Sequence, residues 1–291
     1  MLRALLSTVE QVPVAIQIPS INRAEHTPLL PYRWLPDRRH PFSILVALCL
    51  FAALSACGGT EQSASQPKDL SDAEPTYFGI DVSRYEGRLI DQLTPEDSGL
   101  KFIICKATEG ESLVDSEFAY NWAQIKKKGF IRGAYHFYYF NDSVQKQLQA
   151  FAKNLVLLEA DDLPPIVDVE DHSLKKNTAN TPAELQARLL SFLQAVESHY
   201  QRTPMLYVGY AFANEHLDNP AFTKYPLWVA DYRGEQAQEP KVPNPWKDVG
   251  WKIWQKSENH ELKVRLPTGE KAFEKLDYDE YRGKLADLVK S

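Results

Sequence analysis

From Tyr77 onward, short apolar runs alternate with stretches in which apolar residues recur every three or four positions. The runs are YFGIDVS (77–83), KFIICKAT (101–108), RGAYHFYYF (132–140), PPIVDVE (164–170), PMLYVGY (204–210), LWVADY (227–232) and GWKIWQK (250–256), with an eighth near FEKLDYD (273–279). Their length and bounding turn residues predict β-strands. Between them the spacing predicts helices. Phe118, Trp122 and Ile125 fall at i, i+4 and i+7, with Gly129 as a C-cap. Val144, Leu148, Phe151, Leu155 and Leu158 form one stripe behind an Asp142 cap. TPAE at 181–184 reads as a capping box with proline at the first helical position, and Leu185, Leu189, Phe192 and Val196 continue its apolar face.

After the fifth strand the pattern changes. RGEQAQEPKVPNPWKDVG is proline-rich and has no helical period, so the last strands are joined by loops. The α/β pattern is therefore about five β/α units followed by three strands with few helices, an irregular TIM-like β/α barrel. A dinucleotide-binding sheet is disfavoured, because no GxGxxG follows the first strand. In a barrel, side chains at the C-terminal ends of the strands converge on one mouth.

The first 75 residues follow neither pattern. Arg38 and Arg39 precede an apolar run from Phe42 to Ala56, shorter than the ~20 residues of a membrane span and fitting the core of a signal peptide. The run ends in LSAC at 54–57, which resembles the lipobox of bacterial lipoproteins and makes Cys57 the expected lipidation site. A plain signal peptide and a short membrane anchor are the alternatives. The extension before the run is longer than an ordinary signal-peptide start, and with Met1 and Met205 the only methionines, no internal Met shortens it. Residues 58–75, rich in Gly, Ser, Gln, Pro and acids, read as a flexible tether. The expected division is thus 1–57 extension and lipoprotein signal, 58–75 tether, and 76–291 catalytic barrel. Gly58 after the cysteine, in place of Asp, resembles lipoproteins sorted to an outer membrane. The expected location is the cell envelope after export, on the periplasmic or outer-membrane face.

Composition narrows the chemistry. The 291 residues carry a formal net charge of −6, which offers no basic footprint for nucleic acid. The seven histidines lack metal-ligand spacing, and neither CxxC nor HExxH occurs, so no metal site is expected. Cys105, alone in an apolar strand, is expected to be a buried core residue.

Acids instead gather where strands end: Asp81, Glu109, Asp168, Glu170 and Asp231, with Asp277 and Asp279 near the eighth strand. Strand residues i and i+2 share a face, so Asp168 and Glu170 project together above Ile166 while Val167 and Val169 face the helices. Carboxyls that close raise one another's pKa, as a general acid beside an anionic stabiliser requires. Aromatic side chains near the same strands suit sugar rings. Tyr135, His136, Tyr138, Tyr232, Trp254 and Asp277 form the candidate substrate-binding set, with His136 expected at the barrel interior or rim.

Taken together, GIDVSRYEG (79–87), FIICKATEG (102–110), RGAYHFYYF, PPIVDVE, LWVADY and WKIWQ (251–255), in this order, resemble glycoside hydrolase family 25, the Chalaropsis-type lysozymes or N-acetylmuramidases. The resemblance spans Tyr77 to Tyr281. It implies that Glu170 is the general acid/base, that Asp168 stabilises positive charge through an oxazolinium formed by the substrate's N-acetyl group, and that Asp81 and Asp231 complete the catalytic set. It further implies cleavage of the β-1,4 bond between N-acetylmuramic acid and N-acetylglucosamine in peptidoglycan, with no metal or cofactor; the chain is expected to be a monomer. Two positions depart from the family: Asp279 stands where Asn is usual, and Lys256 where an aromatic is common. Both are expected to bear on outer subsites. A chitinase-type barrel also ends its fourth strand in D-x-E, and a non-catalytic, lipid-tethered peptidoglycan-binding protein is the reading from another class.

Overall fold

The computed structural model describes residues 74–174, 181–234, 236–265 and 271–290. Cys57, the extension and nearly all of the tether lie outside the described residues. Among the described residues there is no helix long and apolar enough to cross a membrane.

Among the described residues, nine strands form one sheet. They are β1 (Thr76–Val82), β2 (Phe102–Glu109), the two-residue β3 (Leu113–Val114), β4 (Ile131–Phe137), β5 (Ile166–Val169), β6 (Met205–Gly209), β7 (Leu227–Ala230), β8 (Ile253–Arg265) and β9 (Lys271–Arg282). The sheet order is β1-β9-β8-β7-β6-β5-β4-β2-β3, and pairing of β1 with β2 closes eight of the strands into a barrel with β3 as an extra edge. Neighbours from β1 through β2 and β4 to β8 run parallel. β9 runs antiparallel to both β8 and β1. The irregular barrel expected from the sequence is the fold observed, and its closing strand runs the opposite way from the rest.

The helices are α1 (Pro95–Ser98), α2 (Phe118–Lys127), α3 (Val144–Asn154), α4 (Pro182–Tyr200), α5 (Tyr210–His216) and α6 (Leu285–Leu288). The capping box at Thr181 and Glu184 is present, with Pro182 in the first turn of α4. Gly129 follows α2 at φ 87°, a conformation open to glycine. The cap of α3 differs by one residue from expectation. Ser143, and not Asp142, accepts the Lys146 N–H, because the shorter hydroxyl side chain sits at the turn where the chain enters the helix. The stripe also outlasts α3: Leu155 and Leu158 pack after the helix has ended.

Strand alternation divides two cores. Ile80, Ile103, Cys105, Ala134, Val167, Val169, Leu206 and Val229 face the helices and pack with Phe151, Leu189, Phe192 and Val196. Phe102, Ile104, Ile166, Met205, Tyr207, Trp228 and Ile253 fill the barrel interior. Cys105 is fully buried, as expected, and burial pushes its thiol pKa up. Gly79 faces inward at the floor, where an added Cβ would lie 2.3 Å from the Phe102 ring. Beyond the mouth, β8 and β9 continue paired as a long hairpin, whose Leu262, Val264 and Leu276 join the outer core.

Candidate active site

Above the interior core a cavity of about 560 Å³ opens at the mouth, lined by Asp81, Tyr135, Asp168, Glu170, Asp231, Tyr232 and Asp277 among others. A second lobe of about 250 Å³ shares Asp81, Tyr135, Asp168, Glu170 and Asp277 and extends past Ser83, Tyr85, Lys106 and Phe137. Asp81, Asp168, Glu170 and Asp277 thus line both lobes of one cleft, and Asp231 lines the first lobe.

Each reaches the cleft by a different route. Asp168 is the third residue of β5, inward like Ile166, and is 5% exposed. Glu170 stands just past the strand end. Its backbone N–H donates to Ser173 Oγ at 3.0 Å and its carbonyl accepts from the Ser173 N–H at 2.9 Å, which holds the turn. Asp81 on β1 lies directly opposite Asp277 on β9. Asp231 follows Val229 by two residues and would face the helices if β7 continued. The strand ends at Ala230, and the freed chain brings Asp231 to the cleft wall, where it accepts from Arg233 Nε at 2.6 Å and from the Lys241 N–H at 2.7 Å. Asp171 opens a short 3-10 turn and also lines the cavity.

The cleft is electrostatically loaded. Burial first, then Glu170, holds the Asp168 carboxyl well above the usual carboxylate range, against a counter-pull from Lys106. Burial raises Glu170 as well, opposed by His172 and Lys106. Asp81 is pushed well up by burial and by Asp277 and Asp279, although the Gln255 amide favours its charged form. Burial pushes Asp277 up to about 6, aided by Glu86, Glu258 and Glu170. Acids this close cannot all ionise, so the cleft retains protons near neutral pH.

Sequence reasoning passed over Gln255 and Tyr207. Gln255 Nε2 donates to Asp81 Oδ2 at 2.6 Å, and its Oε1 accepts from Tyr207 Oη at 2.6 Å and from the Tyr232 hydroxyl. Both are inward positions, Gln255 beside the candidate Trp254 and Tyr207 within the predicted strand 204–210; only the phase of alternation was missing.

Three candidate substrate contacts lie elsewhere. His136 is fully buried on the helix side, not at the barrel interior or rim. Its Nδ1 lies 2.8 Å from Thr108 Oγ1 and its ring packs against Phe151 and Phe192. Tyr138 is equally buried and stacks on Phe192. Trp254 belongs to the outer core, and its Nε1–H donates to the Asp231 carbonyl at 3.0 Å. All three sit one position out of phase with the inward face. Tyr135, Tyr232 and Asp277 do line the cleft. The two departures from the family pattern, Lys256 and Asp279, are both engaged within the fold. Lys256 pairs with Glu280 at 3.0 Å. Asp279 is fully buried below Asp277 and accepts from Trp228 Nε1 at 2.8 Å, with burial raising its carboxyl well above the usual range. Among the described residues, no group of three His, Cys, Asp or Glu side chains is arranged to hold a metal ion.

The chain belongs to the glycosyl hydrolases family 25, whose model matches residues 80–263. It is 35% identical over 198 residues to the uncharacterized protein YegX of Escherichia coli K12, covering 65% of this chain and 66% of that protein. It is 29% identical over 205 residues to Lysozyme M1 of Streptomyces globisporus, covering 68% of this chain and 66% of that protein. The chain thus spans just under two thirds of the length of these relatives. Its fold is that of the bacterial lysozyme from Streptomyces coelicolor, with a TM-score of 0.61 at 24% identity over 73% of this chain and 95% of that structure.

Proposed function

We propose that the barrel is a lysozyme of the muramidase type, hydrolysing the β-1,4 bond between N-acetylmuramic acid and N-acetylglucosamine in peptidoglycan. The observation that carries this reading is the inward pair Asp168 and Glu170, two residues apart at the junction of both lobes, each with raised proton affinity. Glu170 is the less buried of the two and takes the role of proton donor to the glycosidic oxygen, then of base toward water. Asp168, enclosed beneath it, stabilises the oxazolinium formed when the substrate's own N-acetyl oxygen attacks the sugar. Asp81, aligned by Gln255, and Asp231, held by Arg233, orient substrate and water. Tyr135, Tyr232 and Asp277 contact the glycan. Family membership and the likeness to Lysozyme M1 support the substrate class.

Digestion of purified peptidoglycan, with mass spectrometry of the new reducing ends, tests the reading. Muramic acid at those ends is the expected result. Glucosamine ends, release from chitin instead, or no product would each overturn it.

The protein acts, on this proposal, as a monomer exported and tethered to the cell envelope by lipid at Cys57. The basic pair, apolar run and LSAC segment support the anchor. Labelling with a radioactive fatty acid should mark the intact chain and not Cys57→Ala, and label on both would refute the site.

A further inference from the structure

The cleft is lined, among the described residues, by eight carboxyl groups and a single basic side chain, Lys106. Its position follows from a break in strand order. Along β2, Phe102 and Ile104 point inward and Lys106 continues that face, opposite Tyr135 of β4. The register with β4 then shifts between Lys106 and Thr108, so that Thr108 pairs with His136 on the helix side and Glu109 with Phe137 on the cleft side. In an unbroken strand residues three apart face opposite ways. The bulge puts Lys106 and Glu109 on one face, where Nζ and Oε2 meet at 2.7 Å with side chains only 11% and 18% exposed. Bulges commonly re-aim a side chain beside an active site.

The clamp continues outward. Tyr139 Oη donates to the other Glu109 oxygen at 2.5 Å. Tyr139 is held through both of its backbone groups by Gln147 of α3, each at 2.9 Å. Gln147 Oε1 in turn lies 3.2 Å from His136 Nε2. Gly110, at φ 56°, leaves room for the Tyr139 ring, which an added Cβ would meet at 2.8 Å. The Phe137 ring lies 5.0 Å from the ammonium. His136 and Gln147, buried outside the cleft, thus help fix where the one cleft cation stands.

We propose that Lys106 is a positioning residue, clamped by Glu109 and Tyr139 so that its ammonium sets the charge state of the Asp168–Glu170 pair. Asp168 is faced by Glu170 on its own element, by Lys106 and Glu109 from β2, by Asp277 from β9 and by Asp81 from β1. Glu170 is faced by Asp168, Asp171 and His172 beside it, by Lys106 from β2 and by Asp277 from β9. Within these groups Lys106 and His172 oppose the accumulation of negative charge, and Lys106 alone acts on both acids. It therefore favours ionisation of the pair, while Glu109 offsets part of its charge. The inference rests on the muramidase reading for its kinetic consequence, but its electrostatic content is measurable without turnover.

The test is carboxyl titration of Asp168 and Glu170 by NMR in the free protein, paired with the pH profile of peptidoglycan hydrolysis. Lys106→Met should raise the pair's midpoints, and with them the acid limb of the profile, by about one pH unit. Glu109→Gln should shift both the opposite way, because the ammonium loses its counter-charge. Lys106→Arg should stay near wild type. Opposite shifts from two variants at one contact are not produced by simple loss of fold, and a near-UV circular dichroism spectrum checks that each variant is native. Unchanged midpoints in Lys106→Met, or shifts of the same sign in Lys106→Met and Glu109→Gln, would overturn the proposal. Opposite midpoint shifts in the two variants, with no muramic acid products from the wild-type protein, would leave the clamp standing and refute the muramidase reading instead.

Discussion

Two sets of buried carboxyls occupy opposite ends of this barrel, and they are treated differently. Near the start of β4, Asp162 is 1% exposed, and both of its oxygens are met by Arg132, at 2.7 and 3.0 Å. The same guanidinium donates to Glu159 at 3.0 Å and to the Trp122 carbonyl at 3.2 Å, and lies 3.8 Å from the Trp122 ring centre. The Glu159 backbone N–H adds a third donor to Asp162 at 2.8 Å. At the mouth, Asp168 is nearly as buried, yet one of its oxygens has no hydrogen-bond partner. A paired carboxylate ties segments together; an under-paired one holds a proton and is available to a ligand. The difference separates structural acids from those suited to chemistry.

The contrast can be broken at either end. Glu170→Gln removes the titratable carboxyl proton while keeping shape. Turnover of peptidoglycan should fall by about 10²–10⁴-fold, with the melting temperature no lower than wild type; wild-type turnover would remove Glu170 from the chemistry. Arg132→Met does the reverse. It strands Asp162, so denaturant unfolding should show a loss of about 3–5 kcal/mol, while the pH profile of the folded enzyme stays in place. A shifted profile would mean that the two ends are coupled.

Asp277 sharpens the comparison through pH. Its folded pKa is raised from 3.8 to about 6, so its protonated form is the one favoured by folding. Its contribution to stability is then complete below the unfolded value and is lost as pH rises through about 6. Asp277→Asn should therefore be neutral at low pH and stabilise by about 3 kcal/mol at pH 7, read by thermal melts across that window. A gain that is equal at both pH values would exclude the titration. Tyr138→Phe gives the smallest effect. The ring packs on Phe192 away from the cleft, so KM should be unchanged and stability should move by no more than about 1 kcal/mol. A raised KM would return Tyr138 to the substrate contacts.

How much of this was legible follows from the period of a strand. PPIVDVE told that Asp168 and Glu170 share a face, because that relation needs only a spacing of two. RGAYHFYYF did not tell which face is inward. Tyr135 and His136 are equally able to contact a sugar, and the sequence ranked them together. The barrel separates them, with Tyr135 in the cleft and His136 against Phe151 and Phe192. The same ambiguity placed Trp254 at the site and passed over Gln255. Breaks in the period were invisible altogether. The bulge after Lys106 turns Glu109 inward, and the end of β7 at Ala230 lets Asp231 reach the wall.

By itself the sequence determined the alternation of strands and helices, the barrel with its bare final strands, and the identity of the carboxyls, since each depends on neighbours a few residues apart. Tertiary structure alone decided the phase of each strand, the antiparallel entry of β9 that sets Asp277 opposite Asp81, and which buried acids receive a cation. Those outcomes depend on closing the sheet, and closure brings together residues 174 positions apart, such as Asp81 and Gln255.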